Sequence, residues 1–366
     1  MTEVYVAGVG EIPCKPSYPQ DFREMLFKAF KNCLEDSEID VSEIDAVVAS
    51  GLDFFEGISI TDSYTPDQVG GRLKFNTLVS NDSLNALFHA YMLIKTGWFK
   101  NVLVTAYAKA SNILNYGEIV LNTWDPHLIR PLLIHHFSMA ALDAQAFLSR
   151  RRGEPRDLSI VAAKNIRNAQ RNSAAAYGAD TDIEKIESDE FVSEPLRRSH
   201  VARLCDYASV VLLSSDNRSA KAVVKGVGFA HGSHSSDLSE RVFGKFAWVR
   251  PAVSQALPSS SRRVVEFVEV SEPFASTELL VLDELGVYDG DVLKGVRGGD
   301  FAFDGALPVN PSGGCIGMGY PLNAAGLQRV VQAVKLLRMG RWRGCLVASV
   351  DGEVVDGGSI VVLAAG

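Results

Sequence analysis

Apolar positions along this chain switch repeatedly between the two-residue spacing of strands and the three-to-four-residue spacing of helices. Val4 to Val9 is rich in strand formers, with Gly8 and Gly10 closing it. From Phe22 to Leu34 the residues Leu26, Phe27, Ala29, Phe30 and Leu34 share one helix face. IDAVVAS then reads as a short buried strand ending at Gly51, and the strand–helix–strand order predicts a parallel sheet. Leu78 to Gly97 reads as a turn feeding a helix. Its Leu84, Leu87, Phe88, Tyr91, Met92 and Ile94 leave no polar face, so that helix is expected to be buried. WFKNVLVTAY follows as a buried strand. Near the C-terminus LLRMGRWRGCLVAS makes the same passage, from helix through a glycine, an aromatic and a basic residue into an apolar strand. That echo predicts an internal duplication.

Between about Asn115 and His200 the pattern loosens. TWDPHLIRP is loop-like, HHFSMAALDAQAFLSRRRG is a helix stopped at Gly153, and Glu154 and Asp157 open another helix. The segment is expected to be an insertion folded over the main sheets. CDYASVVLLSS and KAVVKGVGFAHG return to strand pattern, Pro258 to Ser261 is a polar linker, and RVVEFVEV and SIVVLAAG supply later strands.

Composition narrows the class. With 366 residues, of which 47% are hydrophobic, the chain can bury a large core in two domains or one duplicated one. No apolar run approaches the roughly 18 residues of a membrane span, and MTEVYVAGVGEIP lacks the basic start and apolar stretch of a signal peptide. A net charge of −8 argues against nucleic acid as a partner. The five cysteines (Cys14, Cys33, Cys205, Cys315 and Cys345) show no CxxC spacing. They fit free thiols in a reducing cytoplasm better than a zinc site or disulfides. No metal is expected, and the chain should act as a cytoplasmic protein without a membrane partner.

The stretch that carries chemistry is Pro308 to Gly326, PVNPSGGCIGMGYPLNAAG. Adjacent Gly313 and Gly314 let a backbone approach a ligand closely, and Pro321 presets the turn that presents Tyr320. This segment resembles the NPSGG-x4-GHP-x-GA-x-G signature of the thiolase superfamily, with Tyr320 where a thiolase has its catalytic histidine. WDP-x4-RP, VAAKNIRNAQRN, SEPLRRSHVARLCDYASVVLLSS, VEVSEPFASTELLVLDELG and the late VDGG extend the likeness, in order, to sterol-carrier-type and archaeal thiolases. The resemblance implies an α/β duplicated thiolase fold, two similar β-α-β-α-β-β halves in five layers, α-β-α-β-α, with a loop-domain insertion. It places residues 1–118 with 200–235 in the N-terminal half, 119–199 in the insertion on the coenzyme A side, and 236–366 in the C-terminal half.

The chemistry of the family does not carry over directly. Its nucleophilic cysteine position is Ser80, its GHP histidine is Tyr320, and its HDCF- or NEAF-like motif reads Ser271-Glu272-Pro273-Phe274. Serine needs an adjacent base, tyrosine titrates near 10, and proline transfers no proton. Asp82 suits a helix start but would repel an enolate. Thiolysis through an acyl-enzyme is therefore disfavoured. Thiolase-like retro-aldolases of steroid side-chain breakdown carry a tyrosine at the Tyr320 position, and the resemblance to them implies C–C cleavage of a β-hydroxyacyl-CoA. Tyr320 would be the acid/base, and Ser271 or Ser80 would orient substrate or water. Backbone N–H groups near Gly313 and Gly314 or Gly357 and Gly358 would hold the thioester oxygen. The alternative is a non-catalytic subunit that pairs with an active thiolase paralogue.

No prosthetic group is implied; coenzyme A enters as the substrate thioester. Its phosphates need cations, for which Arg197, Arg198, His200 and Arg203 are candidates, with His231 near the pantetheine. His135 and His136 read as a structural pair, His89 as core, His231 and His234 as a polar loop, and Cys315 as turn packing. By resemblance, a homo- or heterodimer should form through the N-terminal half, near TLVSNDS. A small zinc-ribbon and OB-fold protein is also an expected partner.

Overall fold

The computed structural model describes residues 2–57, 60–232, 238, 241–257, 264–352 and 356–366. His234 and the Pro258–Ser261 linker lie outside the described residues. The strands are β1 (Val4–Lys15), β2 (Ala46–Ser50), β3 (Phe75–Val79), β4 (Asn101–Lys109), β5 (Phe191–Ser193), β6 (Leu196–Arg197), β7 (Asp206–Ser214), β8 (Ala222–His231), β9 (Phe267–Ser271), β10 (Gly344–Val350) and β11 (Gly357–Ala365). Apart from the small β5–β6 pair they run in the order β3-β2-β4-β7-β1-β8-β11-β10-β9.

The predicted duplication is visible in strand direction. In the first half β1–β7 and β7–β4 are antiparallel, while β4–β2 and β2–β3 are parallel. In the second, β8–β11 and β11–β10 are antiparallel, β10–β9 is parallel, and Val268 makes a parallel bridge to Val309 where a fifth strand would stand. The two half-sheets meet at one corner, where Val4 to Val6 pair with Val224 to Ala222.

The helices repeat as well. Ser83–Lys95 leads through Gly97 (φ 79°) to β4, and Ala325–Arg338 leads through Gly340 (φ 75°) to β10. Positive φ at both glycines reverses the chain at the helix end, a conformation L-residues resist. These two helices pack on each other and touch strands of both half-sheets, forming the central layer. The outer faces are covered by Phe22–Ser37 against β1 and by Val249–Ala256 against β8. In each case a Gly-x-Gly pair, Gly8/Gly10 or Gly226/Gly228, lets the helix lie directly on the strand; an added Cβ would run into helix backbone. The order is therefore helix, half-sheet, helix pair, half-sheet, helix, with apolar cores on both sides of the central layer.

The segment between β4 and β7 carries the helices Tyr116–Asn122, His136–Arg151 and Pro155–Ala169. Pro155–Ala169 lies over the glycine turn, its Ala169 filling the space beside Gly313 that a side chain there would need.

Candidate active site

The structure brings the two halves together around a cavity of about 460 Å³. From the turn after β3 come Ser80, Asn81 and Asp82; from the glycine turn, Tyr320, Leu322 and Asn323. The ends of β10 and β8 add Asp351, Gly352 and His231, and Leu52, Phe55, Tyr116 and Val120 form an apolar wall.

Tyr320 is 5% exposed and held on both sides of its peptide: its N–H donates to the Arg203 carbonyl at 2.8 Å, and its own carbonyl accepts from Cys205 N–H at 3.2 Å. The turn that presents it is fixed from beneath. Asn310 donates to Glu272 at 3.0 Å and to Glu278 at 2.8 Å, and its side-chain oxygen accepts from Val270 N–H at 2.7 Å. Ile316 N–H donates to Glu272 at 3.1 Å. Ser312 donates through N–H and hydroxyl to Glu269, which also meets the buried Arg329 guanidinium at 3.0 Å. Burial and the neighbouring Glu278 push Glu272 up to about 8. Glu272, which enters the sequence pattern only as part of the Ser271–Phe274 motif, anchors the turn.

Other expected residues sit elsewhere. Ser271 is fully buried in β9, its hydroxyl 2.7 Å from that of Ser349 and accepting from Val350 N–H, one layer behind the cavity wall. Gly313 N–H is used inside the turn, donating to the Asn310 carbonyl. Gly357 and Gly358 pair in the sheet, opposite His231 and Ala230. None of these four lines the cavity.

Ser80 does, and it is exposed. Among the described residues no side chain hydrogen-bonds its hydroxyl, so it has no base to activate it. The nearby acid is engaged: Asp82 caps the Ser83–Lys95 helix, accepting from Leu84 N–H at 2.8 Å, and accepts from Gly326 N–H at 3.0 Å at the head of the second central helix. Burial pushes Asp82 up to about 7. All five cysteines are free and buried, and burial pushes the Cys205 and Cys315 thiols well up, so neither offers a thiolate at neutral pH.

The structure also pairs Asp351 with His231. Asp351 Oδ2 lies 3.0 Å from His231 Nε2, and burial, reinforced by Asp82, pushes Asp351 up to about 8. They lie 120 positions apart in sequence, His231 at the end of β8 and Asp351 just after β10, so no spacing rule joins them.

The basic segment is divided by the structure. Arg198 is exposed and pairs with Glu190 at 3.4 Å; Arg203 lies over the Tyr177 ring at 3.9 Å. Arg197 lies over Phe191 at 4.0 Å and donates to the Asp189 carbonyl. His200 is fully buried, and burial pushes it down to about 4. Its Nδ1 accepts from Arg197 N–H, leaving Nε2–H for Ser159, so it shapes the turn as a neutral ring and supplies no charge. Val201, Ala202 and Leu204 continue into a second cavity of about 230 Å³ that includes His135 and His136 and shares Tyr116 with the first. Burial pushes His136 down to about 3, which keeps neutral a ring tilted 30° against that of His135 at 4.1 Å.

Residues 230–355 match the family model described as thiolase C-terminal domain-like. An acetyl-CoA acetyltransferase of Methanothermobacter thermautotrophicus is 22% identical over 354 residues, covering 92% of this chain and 91% of that protein. The fold superposes on the structure titled Ltp2-ChsH2(DUF35) aldolase with a TM-score of 0.84 at 19% identity, over 100% of this chain and 98% of that one. The chain has the thiolase fold throughout, and its residues 230–355 are thiolase-like in sequence. Ser80 and Tyr320, the positions at which the sequence resemblance expects the family's cysteine and histidine, both line the cavity. Another relative, the benzoylsuccinyl-CoA thiolase subunit BbsB of Thauera aromatica, is 26% identical over 210 residues, 54% of this chain and 53% of that subunit. Among the described residues no helix is long and apolar enough to cross a membrane.

Proposed function

We propose that this thiolase-fold protein binds an acyl-CoA thioester and breaks or forms a C–C bond by retro-aldol chemistry, without an acyl-enzyme. The observation that carries the reading is the pairing, in one cavity, of Tyr320 with a Ser80 that has no hydrogen-bonded base among the described residues. The buried cysteines add no thiolate. In cleavage the Tyr320 phenolate takes the β-hydroxyl proton. The O–H electron pair becomes the new carbonyl, and the Cα–Cβ pair passes into the thioester enolate. In the forming direction the Tyr320 hydroxyl protonates the developing alkoxide. The apolar wall suits a hydrophobic acyl body, and the second cavity, flanked by the Arg197–Arg203 segment, suits a pantetheine arm with its phosphates on the exposed arginines. The aldolase title of one structural neighbour supports this reading at the level of fold.

A second reading is a non-catalytic partner of an active thiolase. It is favoured by the subunit relative and by β3, which ends the sheet with one unpaired edge and an exposed Phe75. That edge suits a homo- or heterodimer, and a small zinc-ribbon and OB-fold protein remains a proposed companion. Native mass spectrometry with a turnover assay separates the readings. Turnover of a β-hydroxyacyl-CoA without free CoA, lost in Tyr320→Phe, supports the lyase. A stoichiometric cysteine-bearing thiolase chain, with no turnover by this chain, refutes it.

A further inference from the structure

The retro-aldol step leaves an enolate, and Tyr320 is occupied with the oxygen at the other carbon. Asp351 and His231 form a close acid–imidazole pair in the cavity that this step does not use. Asp351 has 1% of its side chain exposed, whereas His231 has 41%, so one end of the pair is inside the cavity and the other reaches solvent. The pair is held by backbone on both sides. Asp351 N–H donates to the Gly357 carbonyl at 3.0 Å, and Gly357 stands opposite His231 in the β8–β11 ladder. An added Cβ at Gly357 would collide with the His231 ring, so the glycine leaves the space in which the imidazole approaches the carboxyl. Phe229 supports the ring edge-on at 5.0 Å.

The geometry points to His231 and Asp351 as a proton relay between solvent and the α-carbon of the bound thioester, Asp351 being the catalytic residue and His231 the positioning and recharging one. Asp351 O–H gives its proton to Cα as the enolate electron pair forms the C–H bond. The carboxylate then takes the Nε2 proton of the His231 imidazolium, and the neutral imidazole left behind is reprotonated from solvent. Run backwards, the carboxylate removes the α-proton and the thioester becomes the enolate. The proton count is conserved at each transfer, and no oxidant or further reactant is needed. The other groups facing Asp351 are suited to this. Asp82 disfavours its charged form, which helps it hold a proton, and the Asn81 amide pulls the other way. The inference rests on the proposed function only in taking a CoA thioester as the ligand.

The test is deuterium exchange at Cα of propionyl-CoA in D2O, followed by NMR, with the protein as purified together with any companion chain. The wild type is expected to exchange the α-protons, and Asp351→Asn to slow exchange by about 100-fold or more, within the usual span for a general acid–base group. His231→Gln is expected to slow it about 10-fold, a smaller loss because water can still reach the carboxyl, with recovery on adding imidazole. A purely structural histidine would show no such rescue. Wild-type exchange without cleavage of any β-hydroxyacyl-CoA would keep the relay and remove the lyase. Cleavage by the wild type, with Asp351→Asn exchanging at the wild-type rate and melting at the wild-type temperature, would overturn the relay and keep the lyase. A wild type that does not exchange propionyl-CoA also overturns it.

Discussion

Asp82 ties the two halves of the molecule together. One carboxyl accepts N–H groups at the heads of both central helices, Leu84 in the first and Gly326 in the second. Burial outweighs those donors and pushes its pKa from 3.8 to about 7. The folded state therefore binds this proton more tightly than the unfolded chain does. The stability it contributes is fully present below about pH 4 and is lost as pH rises through about 7. At about 1.4 kcal/mol per unit, full ionisation costs the fold on the order of 4 kcal/mol. With an unfolding entropy of about 2.1 cal/mol/K per residue, a chain of 366 residues shifts in Tm by about 5 °C for that energy. Asp82→Asn keeps an acceptor and the shape of the neutral acid but does not titrate. Thermal unfolding of both proteins from pH 4 to pH 8 isolates the effect. Glu272 and Asp351 are shifted in the same direction, but they remain in both proteins and largely cancel in the difference. The variant is expected to melt at or below the wild type at pH 4 and to gain about 5 °C on it by pH 8. A Tm difference that stays flat over that range would show that the donor N–H groups, and not burial, set the Asp82 titration.

Further outcomes are expected. Tyr320→Phe should lower retro-aldol turnover by about 10²- to 10⁴-fold while leaving acyl-CoA binding within a few-fold, measured by steady-state kinetics and calorimetry. Ser80→Ala should keep turnover within about 3-fold, since a hydroxyl without a base supplies no nucleophile; iodoacetamide should leave the native protein active because every cysteine is buried. Arg329→Met should cost about 3–5 kcal/mol in denaturant unfolding by leaving Glu269 buried without its cation. Adding Glu269→Gln should recover part of that loss.

Within the sequence, the fold was legible because it is written in local periodicity. The all-round apolar Ser83–Lys95 segment had to be internal, and its echo before β10 announced the duplication that the strand directions repeat. Tyr320 was legible too, since glycine and proline fix a turn through the backbone torsions of a few consecutive residues. Ser271 looked equally available in its motif, yet strand alternation and the packing of Ser349 against it turn it inward. His200 looked cationic among arginines, but burial holds it neutral.

What tertiary structure alone decided are the relations between distant groups. Asp82 meets Gly326 because the two central helices close on one another, Arg329 meets Glu269 because the second central helix lies on β9, and Asp351 meets His231 because β11 brings the ends of β10 and β8 together. Desolvation and charge proximity, which set the protonation of Asp82, Glu272 and Asp351, depend on that closure. A residue's type and its neighbours in sequence determine which backbone path is open to it. Its proton affinity is set by what lies beside it in space.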